Sequence, residues 1–317
     1  MAWAMSLSVI IPNWNGAAHL PTCLAALRAQ TRRDFEIIVA DNASADGSVE
    51  LLQRDYAEVR LIRLERNAGF TGACNAGLRA AAGEFLILLN NDTEAAPDWL
   101  AEVHAAFERH PEAGLVASKM LLYDRRNVLH TAGDIFKADG TPGNRGVWQE
   151  DRGQYAEGPV FSANGGSAAY RRAMLDQIGL LDEDFFFSCE DVDLAWRAQL
   201  AGWRTVFAPR AVVYHKLAAT GGGTTASFYD GRNFIYLLVK DVPGCIWRRH
   251  WPQIVRGQAR IAASALRAWR GQAARARLRG QAAGVLGIPK MLAKRGAVQA
   301  GCKVSAEYLE ALLSPEG

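Results

Sequence analysis

Apolar and polar positions along the chain alternate between two rhythms. Short β-branched runs, SLSVII (6–11), EIIVA (36–40), VRLIRL (59–64), FLILLN (85–90) and GLVAS (114–118), read as strands buried on both faces. Between them, AHLPTCLAALRAQ, DGSVELLQRDY, FTGACNAGLRAAAG and APDWLAEVHAAFERH carry the spacing of amphipathic helices. Repeated β-α units of this kind predict an α/β fold with a mainly parallel sheet flanked by helices. From about 119 to 159 the pattern breaks into Gly, Asp and Arg-rich turns with scattered aromatics, which reads as loops or hairpins laid over a site. A second ordered block spans 160–215 and ends in AVVYH; GGGTTA (221–226) then reads as flexible, and helices dominate to the end. The expected organisation is one α/β unit over 1–220 and a helical extension over 221–317.

In such sheets ligands sit beyond the carboxyl ends of the strands, where strand order reverses. Each strong strand here runs out into polar residues: Pro12-Asn13-Trp14-Asn15-Gly16, then Asp41-Asn42-Ala43-Ser44, then Arg66-Asn67-Ala68-Gly69, then Asn90-Asn91-Asp92. DNASADGS (41–48) sets a carboxylate where it can accept from a base N–H or a ribose hydroxyl, and it reads equally as a capping turn in which Asp46 or Ser44 closes the next helix. RNAGFTGACNAG holds three glycines and two asparagines within eleven residues, so that backbone approaches a ligand closely while helix N–H groups face an anion. Asp92 comes directly after the most apolar strand, as a metal ligand or as an N-cap for the helix with Trp99 and Leu100. EDVD (190–193) opens a helix directly after Phe185, Phe186 and Phe187. Acids in a first turn ordinarily complement the helix dipole at the surface, whereas an aromatic run beside them points to a desolvated site where a carboxylate serves as a tuned base. His215 ends AVVYH and is a structural histidine unless a carboxylate partners it.

Charge changes the picture of the tail. Residues 1–244 hold 23 Lys/Arg against 30 Asp/Glu, and 245–317 hold 13 against 3, so the formal +3 hides a segregation. All thirteen basic residues lie between Arg248 and Lys303, a stretch without acid, interleaved with Trp247, Trp251, Ile254, Val255, Ile261, Leu266 and Trp269. Either these helices form a packed hairpin with a solvated arginine face, or they meet an anionic membrane surface through 245–303. They could equally serve self-association into a homo-oligomer. No reading motif for nucleic acid accompanies the charge, and none is expected to bind. The five cysteines are odd in number, far apart and without a CxxC pair, which fits a reducing cytosol. The first apolar run, 7–11, is too short for a signal sequence, and no eighteen consecutive residues are apolar. The expectation is a cytoplasmic chain, peripheral at most on the inner face of the cytoplasmic membrane.

Absences prune the function classes. The chain has no GxGxxG after its first strand, no GxxxxGK[ST], no GxSxG and no HExxH, which disfavours dehydrogenase, P-loop NTPase, lipase-type hydrolase and zincin. In their order and spacing, VIIPNWNG, VADNASADGS, RNAGFTGACNAGLRAAAGEFLILLNND, ANGGSAAYRR, FFFSCEDVDLAWR and VVYH resemble the family-2 glycosyltransferases, especially the bacterial rhamnosyltransferase-like branch that builds cell-surface polysaccharides. The resemblance covers about 6–240 and implies a GT-A-type, Rossmann-like sheet with a C-terminal helical extension.

Carried over residue by residue, the resemblance implies that Pro12, Asn13 and Asn15 line the nucleotide pocket and that Asp41 reads the nucleobase. Asn67, Gly69 and Asn75 then form the loop near the diphosphate, with Asn90 and Asn91 beside the donor. Asp92 matches the last acid of the family's DxD metal motif and His215 a histidine that completes coordination of a divalent ion, Mn²⁺ or Mg²⁺. Asn90 stands where the first acid of DxD is expected, so one carboxylate serves where the broad family has two. Asp191 matches the base, with Glu190 beside it; Gly165, Gly166 and Ser167 face the acceptor and donor sugar, as do Trp196 and Arg197 one helical turn past the base. The implied reaction is inverting transfer from a nucleoside-diphosphate sugar, dTDP-rhamnose or a UDP-sugar, to a glycan or lipid-linked acceptor. Without QxxRW or membrane spans, the enzyme is expected to be non-processive. Two rivals share parts of this pattern: a non-catalytic sugar-nucleotide scaffold, favoured by Asn90, and a sugar nucleotidyltransferase, whose Gly-rich basic loop PNWNG lacks.

Overall fold

The computed structural model describes residues 6–217 and 222–314. At its centre β1 (Leu7–Asn13) runs parallel to β2 (Phe35–Asp41) on one side and β4 (Phe85–Leu88) on the other, with β3 (Val59–Arg63) beyond β2. Successive residues of β1 point to opposite faces. Leu7, Val9 and Ile11 pack in one core with residues of α1 (Leu20–Arg28), α2 (Ser48–Asp55) and α4 (Trp99–Arg109), whereas Ile10 packs in another with Cys74 and Leu78 of α3 (Gly69–Ala80). Helices on both faces are why β1, β2 and β4 are mainly apolar; β3, at the edge of the sheet, leaves Arg60 and Arg63 exposed instead of being buried on both faces.

Past β4 the sheet becomes mixed. β11 (Ala168–Arg171) runs antiparallel between β4 and β6 (Ala113–Leu122), and β6 in turn pairs in parallel with β12 (Arg204–His215). β10 (Gly158–Val160) forms the antiparallel edge. TVFAP and AVVYH are thus one strand, bent by a register shift between Ala208 and Val212 around Pro209. The short β5 (Thr93–Ala95) pairs with the end of β12 and sets His215 opposite Thr93, next to Asp92. In the stretch whose register sequence leaves open, β6 continues to Leu122, β7 (Leu129–Thr131) pairs back onto it, and β8 (Asp134–Lys137) and β9 (Pro142–Asn144) form a hairpin.

α5 (Arg172–Ile178) and α6 (Glu190–Leu200) precede β12; α7 (Gly223–Lys240), α8 (Gly244–Arg267), α9 (Gln272–Leu286), α10 (Ile288–Ala300) and α11 (Ala306–Ala311) come after it. Leu237, Ile246, Ile254, Met291 and Leu309 of these helices share a core with Phe136, Phe161 and Trp196. The segment expected to be flexible is helical from Gly223 onward; its first residue and the expected boundary at 220–221 lie outside the described residues. α7 is held by α9, which crosses it so closely that a Cβ on Gly231 or Gly280 would strike the backbone of the other helix. Among the described residues no helix is long and apolar enough to cross a membrane.

Candidate active site

A cavity of about 760 Å³ opens at the carboxyl ends of β1, β2 and β4. One wall consists of asparagines that the strands deliver. Asn13 ends β1 where strand order reverses: its Oδ1 accepts from Asn91 Nδ2 at 2.7 Å and its Nδ2 donates to Asp41 Oδ1 at 2.9 Å. Asn42 continues the row, donating to Asn67 Oδ1 at 2.9 Å and to Gly69 O at 3.0 Å while accepting from Ala68 N at 2.8 Å. Asn15, at φ 52, caps the turn by accepting from Ala45 N at 2.8 Å. Each amide is fixed by a partner of the opposite kind, so the wall is rigid before any ligand arrives. Asn90 Oδ1 is the exception, buried and without a hydrogen-bond partner beside the cavity.

The facing wall carries acids. Asp191 Oδ2 accepts from Gly165 N and Oδ1 from Val192 N, each at 2.8 Å. Burial lifts its pKa above the ordinary carboxylate value and those backbone N–H groups partly offset the rise. Glu190 is pushed well above its usual range, first by burial and then by Asp191, and its Oε2 has no partner. Asp134, at the start of β8, joins them: it accepts from Thr131 Oγ1 at 2.8 Å and from Asn164 Nδ2 at 3.1 Å, and burial followed by the charge of Asp191 pushes its pKa up to about 8. Asp230 of α7 completes the acidic lining, and no Lys or Arg lines the cavity among the described residues.

Asp92 and His215, far apart in sequence, meet just behind Asn91, with His215 Nε2 at 3.2 Å from Asp92 Oδ1. Neither lines the cavity. His215 Nδ1 faces His130 Nδ1 at 3.2 Å, and burial followed by His215 holds the pKa of His130 down at about 4. The Asn144 amide nitrogen lies 3.3 Å from His130 Nε2, and His215 turns its Nε2 toward Asp92. Among the described residues no group of three or more His, Cys, Asp or Glu could hold a metal ion, so the protein offers this pair.

Of the residues singled out from sequence, Pro12, Asn13, Asn15, Asn67, Gly69, Asn90, Asn91, Gly165, Gly166, Glu190 and Asp191 line one cavity. Five others do not. Asp41 is buried, its oxygens taken by Asn13 Nδ2 and Ser44 N. Asn75 is turned away, bonding Leu181 O, Leu181 N and Glu183 Oε1 and so tying α3 to the segment before α6. Ser167 is buried beneath the surface. Trp196 packs edge-on against Phe136 and Phe161 in the core, because its place on α6 faces β8 instead of the cavity. Arg197 pairs with Asp193 and donates to the carbonyls of Ile178, Gly179 and Leu180. Conversely, Asp134, Asn144, Asn164 and Asp230 line the cavity, although the motifs do not single them out. Asn164 was within reach, since it sits in the ANGG motif; Asp134 and Asp230 lie in segments with no motif.

Comparison with known proteins agrees with this geometry. Residues 8–179, more than half the chain, match the pattern of the family described as Glycosyl transferase family 2. Over 276 residues the chain is 28% identical to the N-acetylglucosaminyl-diphospho-decaprenol L-rhamnosyltransferase of Mycobacterium tuberculosis, covering 79% of this chain and 89% of that protein. It is 29% identical over 231 residues to the O-antigen biosynthesis protein RfbC of Myxococcus xanthus, covering 68% of this chain but 17% of that much longer one. The mannosyltransferase PcManGT of Pyrobaculum calidifontis, solved with GDP-Man and Mn²⁺, superposes with a TM-score of 0.59 at 19% identity over 98% of this chain and 84% of its own. GalNAc-T7, solved with UDP, GalNAc and Mn²⁺, gives 0.70 at 16% identity over 98% and 57%. At such identities the likeness to solved structures shows the GT-A fold alone. The matched segment runs from β1 through α5 and so contains every strand end of the asparagine wall; the chain belongs to glycosyl transferase family 2 and is an enzyme of glycosyl transfer.

Proposed function

We propose that this enzyme is an inverting, non-processive, metal-dependent transferase that moves a sugar, dTDP-rhamnose or a UDP-sugar being the donor, to a hydroxyl of a glycan or lipid-linked saccharide in cell-surface polysaccharide synthesis. The observation that carries the reading is the carboxylate of Asp191, set across the cavity from the asparagines and held by two backbone N–H groups. The activity for which the M. tuberculosis relative is named supports rhamnose as the sugar and a diphospho-polyprenol-linked acceptor.

Asp191 takes the proton of the acceptor hydroxyl while its oxygen bonds to the anomeric carbon; the bond from that carbon to the diphosphate breaks, and its electron pair leaves with the nucleoside diphosphate. One displacement inverts the centre, so no second nucleophilic carboxylate is required, unlike a retaining glycosidase. Glu190 keeps its proton because burial and its neighbour raise it further, which leaves the single charge of the pair on Asp191. A Cβ on Gly165 would stand 3.2 Å from Glu190 Oε1 and 3.3 Å from Asp191 Oδ2, so glycine keeps that approach clear for the acceptor.

A cavity lined by four acids and no basic residue among those described offers a diphosphate no positive charge unless a cation comes with it. Asp92 and His215, whose Oδ1 and Nε2 stand 3.2 Å apart, would hold that ion. Bound Mn²⁺ or Mg²⁺ would neutralise charge gathering on the leaving diphosphate, and the imidazole favours Mn²⁺. Calorimetric titration of dTDP, UDP, GDP and CDP, each with and without these ions, should give metal-dependent binding of one nucleotide. No binding of any of them, with either ion, would overturn the donor site.

The helical extension is read as the side that receives a lipid-linked acceptor. α8 buries Ile246, Ile254, Gly257 and Ala265 and turns Trp251, Val255 and Leu266 outward, with Trp269 just past its end, each of the four more than half exposed. Arg249, Arg256, Arg260 and Arg267 share another line of the helix, roughly a third of a turn round from that stripe. An outer surface that carries both an apolar stripe and a line of arginines suits an anionic bilayer surface. Co-sedimentation with phosphatidylglycerol vesicles at low salt, lost at high salt, is the expected result; none at low salt would remove the membrane contact and leave the chemistry standing.

A further inference from the structure

The loop that delivers Glu190 and Asp191 is bent against the preference of its own residues. Phe187 N–H donates to Phe185 O at 2.6 Å, closing a three-residue turn around Phe186 at φ 60 and ψ −51, and Ser188 and Cys189 come next at φ 68. None of the three is glycine, and left-handed backbone of this kind persists in other residues only where the surroundings over-determine it.

The surroundings are supplied by α7, outside the segment that matches the family pattern. Asn233 is fully buried, and its Nδ2 faces the carbonyl oxygens of Phe185, Phe187 and Ser188 at 3.0, 2.9 and 2.7 Å. Its Oδ1 accepts from Arg232 Nε at 2.8 Å, so each end of the amide meets the partner it requires. Asp230, three residues back, accepts the Ser188 hydroxyl at 2.6 Å and Arg277 of α9 at 3.0 Å. On the other side Thr71 N, in the first turn of α3, donates to Phe186 O at 3.2 Å. Three carbonyl dipoles converge on one point, and they repel one another unless a donor stands there.

We propose that Asn233, seconded by Asp230, is a positioning residue for glycosyl transfer. It does not line the cavity; it locks the 185–189 loop in the bend that aims the Asp191 carboxylate at the acceptor. The proposal rests on Asp191 being the base.

Asn233→Asp keeps the shape of the side chain and removes its donors. In the full-length variant kcat should fall on the order of 100-fold, the scale of a small misplacement of a reacting group. Calorimetric Kd for dTDP or UDP with Mn²⁺ should stay within about threefold, because the asparagine wall is untouched. A folded variant with wild-type kcat would overturn the proposal, as would equal losses in kcat and nucleotide affinity, which mark a merely structural role. Should the variant fail to fold, Ser188→Ala removes only the hydroxyl held by Asp230 and should give the same split at smaller size; an unchanged kcat there overturns it too. Asp191→Asn is assayed alongside. Turnover retained in Asp191→Asn refutes the base, whereas turnover lost there but kept in both loop variants refutes the positioning role alone.

Discussion

The two walls of the cavity are built on opposite plans. The asparagine wall is assembled at strand ends: Asn13, Asn42 and Asn91 each stand within three residues of the last residue of β1, β2 or β4, and they bond to other residues at strand ends, Asn13 to Asn91 and Asp41 and Asn42 to Asn67. The acid wall has no strand of its own at its centre. Its loop takes a conformation that its residues disfavour, and the groups that impose it come from α7, more than forty residues downstream, and from α9 behind α7. Parallel strands position a side chain through the ladder itself, so one wall needs little beyond its own secondary structure. The other depends on tertiary contacts and carries a cost in backbone strain. The family match, residues 8–179, spans the asparagine wall and stops before the loop that delivers Glu190 and Asp191.

The sharpest way to break this comparison is to remove the charge from the acid wall alone. Asp191→Asn should lower kcat about 10²- to 10⁴-fold, the range for loss of a general base, while calorimetry finds nucleotide affinity unchanged. An Asp191→Asn enzyme that loses nucleotide binding as well would mean that the walls do not act separately.

Legibility divides along the same line. The strands and helices from β1 to α4 were readable because the runs of β1, β2 and β4 are buried on both faces and each helix keeps its period, and the asparagines were readable because they succeed such runs. Asp191 and Glu190 stood out through the aromatic run before them, although nothing local announces the γ-turn at Phe186 or the left-handed Ser188 and Cys189. Trp196 and Arg197 illustrate the limit. Proximity to the base in sequence placed them near the site, but helical rotation turns Trp196 into the core and leaves Arg197 capping the carbonyls of 178–180. Asp230 and Asn233 carry no motif at all, and their roles exist only through contacts between distant segments. The basic tail shows the same effect: part of its charge, which sequence left open between a solvated face and an anionic partner, is met inside the chain, Lys290 and Lys294 by Asp184 and Arg277 by Asp230.

Where the walls touch, the separation should fail in a measurable way. Gly69 sits at φ 77 at the start of α3, and a Cβ there would stand 2.5 Å from Phe186 O and 2.6 Å from its ring. Gly69→Ala must therefore displace either the diphosphate loop or the loop before the base, and alanine is strained at that φ in any case. Nucleotide affinity and kcat should both fall, each roughly tenfold, in contrast to the kcat-only loss in Asp191→Asn. A Gly69→Ala enzyme with only one of the two constants changed would show that the joint belongs to one wall.

The smallest effect concerns Asp134, whose carboxyl the acid wall holds protonated up to about pH 8, through burial and then through Asp191. In the unfolded chain it ionises near its ordinary value of 3.8. Between the two values the folded state retains a proton that the unfolded state has released, so the stability this group contributes is complete below pH 4 and is lost as pH rises toward 8. Asp134→Asn cannot ionise and keeps the network, its Oδ1 accepting from Asn164 and its amide nitrogen donating to Thr131, whose own hydroxyl still reaches Gly133 O. Thermal unfolding should find the variant gaining on the wild type from pH 5 to pH 8 by a few degrees, on the order of 1 kcal/mol, for each pH unit, with no further gain above pH 8. A gap that does not change with pH would mean that Asp134 is already ionised at pH 5 and that the acid wall tolerates more charge than its burial implies.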